Sequence, residues 1–172
     1  MHNQPSGAAF DVVLLLHVAC VVVGIVTIAT AAATARRLGR LARTTAPLPE
    51  TLQRYFRPGV NWAGRTIYGI PVFGFALLGM SKGVYAVTDV WVLLGLVLFV
   101  AVALLAECVL WPAERRVQVG VQRCAQDGVD GVSAEQRPID ALGSHAEVME
   151  RTAIVALVLL VAGTVIMVAQ PY

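Results

Sequence analysis

Charge is what this chain has least of. Only 14% of its 172 residues are Asp, Glu, Lys or Arg, against about a quarter in a soluble globular protein, so an ordinary water-facing domain is excluded. Cysteine is scarce and odd in number. Cys20, Cys108 and Cys124 do not make a secreted disulfide framework, and two of them lie in or at the edge of apolar runs, so free thiols are expected. The chain has no P-loop, no Gly-rich dinucleotide fingerprint, no zincin helix and no Cys-x-x-Cys pair. Without such a pattern, no catalytic residue and no metal site is assigned.

What is present is hydrocarbon: 58% of the residues are hydrophobic. The stretch FDVVLLLHVACVVVGIVTIATAAATA, beginning at Phe10, covers roughly 39 Å as a helix, more than the roughly 30 Å of a bilayer core. No Lys or Arg precedes it, and Arg36, Arg37, Arg40 and Arg43 follow it, the reverse of a cleaved signal peptide. Three more spans are read at about 62–85, 91–111 and 152–170, the third bracketed by Trp91 and Trp111 as by two aromatic belts. Pro71 should kink the second or loosen its first turns. Seven of the 13 basic residues fall between Arg36 and Arg65, five between Arg115 and Arg151, and only Lys82 lies elsewhere. The positive-inside rule then makes 36–61 and 112–151 cytoplasmic loops and puts both termini outside. Arginines confined to loops and helix ends speak against nucleic-acid binding.

Within the first loop, Leu52, Tyr55 and Phe56 beside Arg54 and Arg57 suit a short segment lying on the inner membrane surface or, equally, an ordinary solvated connector. In the second, Val117, Val119 and Val121 either extend the third helix beyond the membrane or begin a short amphipathic one. Ser133 to Gln136 has capping-box spacing.

Few side chains inside the spans carry chemistry. His17 lies about seven residues, roughly 10 Å, from the outer end of span one. A neutral imidazole there could ligate a haem iron or copper ion, or pass a proton; alternatively a neighbouring helix satisfies both nitrogens. Met80 and Met167 come nearest in depth as second ligands, though methionine in a span is more often packing. Glu107, near the inner end of span three, has Arg65 and Arg151 at similar depth, and the three form either a structural ion pair or a proton relay. Small residues on span one (Gly24, Ala31) and span two (Gly69, Ala76, Gly79) offer faces for close helix packing.

The segment Leu16-His17-Val18, with Gly24 one to two turns later, and the tail Met167-Val-Ala-Gln-Pro171 resemble a group of small bacterial four-helix membrane proteins. That group reaches, more distantly, to the CopD-like copper-resistance and HemJ-type proteins. The resemblance implies a four-helix bundle whose first-helix histidine, His17, serves haem b or copper.

The expectation is therefore an all-α bundle of four transmembrane helices in a bacterial inner membrane, N-out and C-out, with the lipid bilayer as its surroundings. Its leading function is a helix-packing module, forming a homo-oligomer or part of a larger membrane complex. The alternatives are haem or copper handling through His17, and a small proton-coupled transporter.

Overall fold

The computed structural model describes residues 7–44, 48–130 and 136–169, without the side chains of 125–130 and 136–141. Among these the chain is helical and contains no strand. In chain order the helices are α1 (Ala8–Leu41), α2 (Glu50–Tyr55), α3 (Trp62–Arg65), α4 (Gly69–Met80), α5 (Val90–Leu105), α6 (Trp111–Asp130) and α7 (Gln136–Ala169). Four stretches are long and apolar enough to cross a membrane: Ala8–Leu41, Trp62–Met80, Val90–Cys124 and Leu142–Ala169. Ser133 to Glu135 of the capping-box pattern lie outside the described residues.

Contacts divide the chain into two units, the first made of Met1–Ile28, Asn61–Ala103 and Leu157–Tyr172, the second of Ala29–Val60 and Leu104–Ala156. In the first unit, the Asn61 side chain caps α3 by accepting from the Gly64 N–H at 3.1 Å. A 3-10 turn, Thr66–Tyr68, then leads into α4. Pro71 explains the turn: it has no N–H to give the Ile67 carbonyl, so the chain tightens before the regular helix begins. At its other end α4 stops at Ser81, which is fully buried. The Ser81 hydroxyl donates to the Leu78 carbonyl at 2.8 Å, and Lys82 and Gly83 turn away with φ of 52° and 85°. Gly83 takes that left-handed conformation without the cost of a Cβ.

The second unit packs the end of α1, the short α2, the whole of α6 and the first part of α7. Ala35, Leu38, Phe56, Val117, Val121, Ala146, Met149 and Ala153 form its core. The apolar side of α2 is spent inside this core. Leu52 and Phe56 are buried in protein, so α2 does not lie with them on a membrane surface, and it shows the outside Glu50, Thr51 and Arg54. A π segment, Ala106–Leu110, joins α5 to α6, so the third span continues as one helical path into the polar region. Trp111 is packed inside, whereas Trp62 is the strongly exposed tryptophan. Arg36 reaches Glu150 at 2.6 Å across α1 and α7. With the arginine half exposed, such a pair is worth at most about 1 kcal/mol and serves register more than stability.

Candidate functional site

The first unit encloses an apolar cavity of about 530 Å³ lined from α1, α4, α5 and α7. Its walls on α1 run from Phe10 to Ile25, about 22 Å of helix. The space is elongated along α1. One side is open, since the lining residues Leu14, Val18, Val22 and Phe75 are exposed.

His17 is the one histidine in this lining. Its Nδ1 lies 2.9 Å from the Ile70 carbonyl oxygen. A carbonyl only accepts, so Nδ1 carries the proton and donates it. The neutral imidazole is then left with its lone pair on Nε2. Gly74 makes room for the ring: a Cβ there would stand 3.4 Å from His17 Cε1. The same arrangement repeats across the cavity, where Met167, also in the lining, lies over Gly95 and would collide with any Cβ added there. Thr164 adds a hydroxyl already bonded to the Leu160 carbonyl at 2.8 Å, and Tyr85 and Trp91 meet edge to face with centroids 5.6 Å apart.

Of the three candidate ligands, the fold thus brings His17 and Met167 to one cavity and leaves Met80 out of its lining, half exposed at the end of α4. Arg151 is engaged on its own helix by Glu147 at 2.5 Å. Glu107 is exposed on the π segment and Arg65 half exposed at the end of α3; each has an interaction partner. Among the described residues no three His, Cys, Asp or Glu side chains gather as a metal would require.

The small-residue faces close contacts inside the chain in part: Gly24 faces Ile67 and Leu160, Gly69 faces Cys20, and Gly163 faces Leu98, whereas Ala76 and Gly79 stay exposed. Of these three contacts the tightest is at Gly69, where a Cβ would sit 2.5 Å from Cys20 Sγ and 3.4 Å from Phe73. Gly69→Ala is expected to cost about 1–3 kcal/mol, because a short side chain cannot swing clear as Met167 can. Cys20→Ala should return most of that loss in the double variant; thermal unfolding of the full chain in detergent reads the coupling, and simple additivity would refute the contact.

Two features had no counterpart in the sequence reading. Glu114 is buried in the second unit on the face of α6 that carries Val117 and Gln118. Near it the Tyr55 hydroxyl is shielded and makes no hydrogen bond of standard geometry, although Thr34 lies close enough to favour its ionised form weakly. Burial raises the Tyr55 pKa above its ordinary 10, and the Glu114 charge adds to this. The folded state therefore holds the phenol proton longer than the unfolded chain, so stability falls as pH rises above about 10. Tyr55→Phe should leave stability at pH 7 unchanged or slightly higher and flatten that alkaline loss, as followed by unfolding midpoints between pH 8 and 11.

The segment Gly79-Met80-Ser81-Lys82-Gly83 has the Gly-x-Ser-x-Gly spacing of a nucleophile elbow. Its setting is a helix end rather than a strand-to-helix turn, and Ser81 is buried with its proton given to Leu78.

Among the described residues the fold is all-helical, with four helices long and apolar enough to span a membrane and an apolar cavity in the first unit. Compared with protein-family models, curated proteins and solved structures, the chain matches none. The resemblance to CopD-like and HemJ-type proteins is an expectation from the sequence at Leu16-His17-Val18, Gly24 and the tail from Met167. Their cofactors can be tested against the lining itself. The His17 and Met167 donors suit an axial pair on haem iron, but the lining contains no Lys or Arg to meet the two carboxylates of haem b. Copper would find an imidazole and a thioether and no further His, Cys, Asp or Glu. Neither fit is complete.

Proposed function

We propose that this is a multi-pass membrane protein that holds an elongated hydrophobic small molecule in the cavity of its first unit, with His17 as the polar attachment point. The observation that carries the reading is the cavity itself: roughly the volume of a small-molecule site, lined by apolar side chains and open on one side, with one imidazole whose Nδ1 donates to the Ile70 carbonyl. A packing module is the less favoured reading, since Gly24, Gly69, Gly95 and Gly163 are occupied by contacts within the chain, which leaves Ala76 and Gly79 as the exposed part of the small-residue faces. The loop charges support an orientation with the Arg36–Arg57 region cytoplasmic and the Lys82 turn outside, in a plasma membrane.

The test uses the full chain purified in mild detergent. A lipophilic, environment-sensitive fluorophore should bind saturably at one site, and Val21→Phe, which projects bulk into the lining, should weaken it by at least tenfold while the helical circular dichroism is retained. Non-saturable partitioning that is indifferent to Val21→Phe would sink the proposal. An absorption spectrum of the same sample reports any haem directly.

A further inference from the structure

We propose that the ligand of this cavity is an aryl alcohol on a long apolar tail, an alkylated or prenylated hydroquinone or phenol, whose hydroxyl donates a hydrogen bond to Nε2 of His17. The inference rests on the cavity being a ligand site and adds the chemistry of what enters it.

Three observations lead there. The Ile70 carbonyl takes the Nδ1 proton at 2.9 Å, so the imidazole presents an acceptor and no donor to whatever else approaches it. A quinone, ester or ketone, which only accepts, gains nothing from that nitrogen; a hydroxyl does. Next, aromatic rings line the space at several levels, with Phe10, Phe75, Tyr85, Trp91 and Phe99 contributing, which favours a ring-bearing headgroup over a plain alkyl alcohol. Finally, the length of about 22 Å suits a chain trailing from that headgroup, and the open side at Val18 and Val22 gives entry from lipid. Pairing also removes a cost, since Nε2 would otherwise be an unsatisfied acceptor in an apolar wall.

The full chain in detergent, with intrinsic tryptophan fluorescence as the signal, would be titrated with 2-decyl-1,4-hydroquinone under reducing conditions, with its dimethyl ether, and with the corresponding quinone. The diol should bind about three- to tenfold more tightly than either compound that lacks a donor, the factor of one net hydrogen bond. His17→Phe should abolish that preference while leaving the weaker binding of the ether intact. Because His17→Phe removes the bond to Ile70 and the variant can fail to fold, a second measurement uses the native chain. With histidine labelled with nitrogen-15, the Nε2 resonance should move on adding the diol and stay in place with the ether.

Equal affinity for diol and ether, or an unmoved Nε2 resonance, overturns the hydroxyl inference and leaves the cavity reading intact. Failure of all three compounds to bind or to displace the lipophilic fluorophore overturns both. A Soret band lost in His17→Phe would show that iron takes the nitrogen instead, and would also overturn the hydroxyl inference.

Discussion

Phe56→Ala is expected to destabilise the docking of α2 by about 3–5 kcal/mol, the cost of emptying a fully buried phenylalanine site. The loss should appear locally. A helix of six residues has no stability of its own in water, so α2 persists only because Leu52 and Phe56 are buried in the second unit's core and the Tyr55 and Phe56 rings meet edge to face with centroids 5.0 Å apart. α2 packs on the ends of the long helices, but these are long and apolar enough to persist without it, so their helical signal should stay. Tryptic cleavage at Arg54 and Arg57, both exposed, tracks the open population of this segment and should accelerate by about two orders of magnitude or more. An unchanged cleavage rate would mean that α2 is held by something other than its apolar face. Thr51→Ala, on the exposed side, is the control and should do almost nothing.

That apolar face also shows where sequence reasoning reaches its limit. Leu52 and Phe56 beside two arginines read equally well as a membrane-surface segment or as a solvated connector, and the structure shows neither, because the pattern states that one face is apolar and not what covers it. The four spans were legible since a run of some twenty apolar residues has few other fates. Their continuation as helices into the polar regions was harder to see. α6 buries Ala113, Glu114, Val117, Gln118 and Val121, and two of these five are polar, so the hydrophobic period was masked.

Glu107 and Glu114 make the point sharply. They are seven residues apart, which places them on nearly one face of a regular α-helix, yet Glu107 is exposed and Glu114 buried. The π segment that begins at Ala106 and holds Glu107 adds a residue to the turn, which shifts the face between the two glutamates by roughly 100°, the angle of one residue. Nothing in Ala-Glu-Cys-Val-Leu announces it. Glu107 stands out in the sequence as the acid that interrupts an apolar run, whereas Glu114 sits among other polar residues and does not. For the cavity, the candidates His17 and Met167 were visible as exceptions within spans. Their meeting in one lining, and the Ile70 carbonyl that fixes the tautomer, depend on how helices pack, which no residue pattern encodes.

Neutralising Arg37, Arg40 and Arg43 to Asn while placing lysines at Val87 and Thr88 should invert a large part of the population in the membrane. Arginines count toward orientation when they lie close to a span in a short loop, and attraction to an anionic leaflet is worth about 1 kcal/mol for each. These three residues are exposed and their side chains make no hydrogen bond or ion pair with any described residue, so replacing them disturbs no packing. Arg36 must stay, since its bond to Glu150 would confound charge with structure. Lysines at the exposed positions 87 and 88 join Lys82 and reverse the bias on the opposite turn. The readout is a single cysteine at exposed Val84, with Cys20, Cys108 and Cys124 changed to Ala, treated with a membrane-impermeant maleimide on intact cells. In the otherwise native chain labelling should be complete; in the charge-swapped chain it should fall to half or less. Labelling that stays complete would show that orientation is fixed by something other than loop charge. The outcome also bears on ligand access: Trp91 and Tyr85 at the cavity lie next to the Lys82 turn in sequence, so the orientation of that turn decides from which leaflet a lipid-dissolved hydroquinone reaches His17.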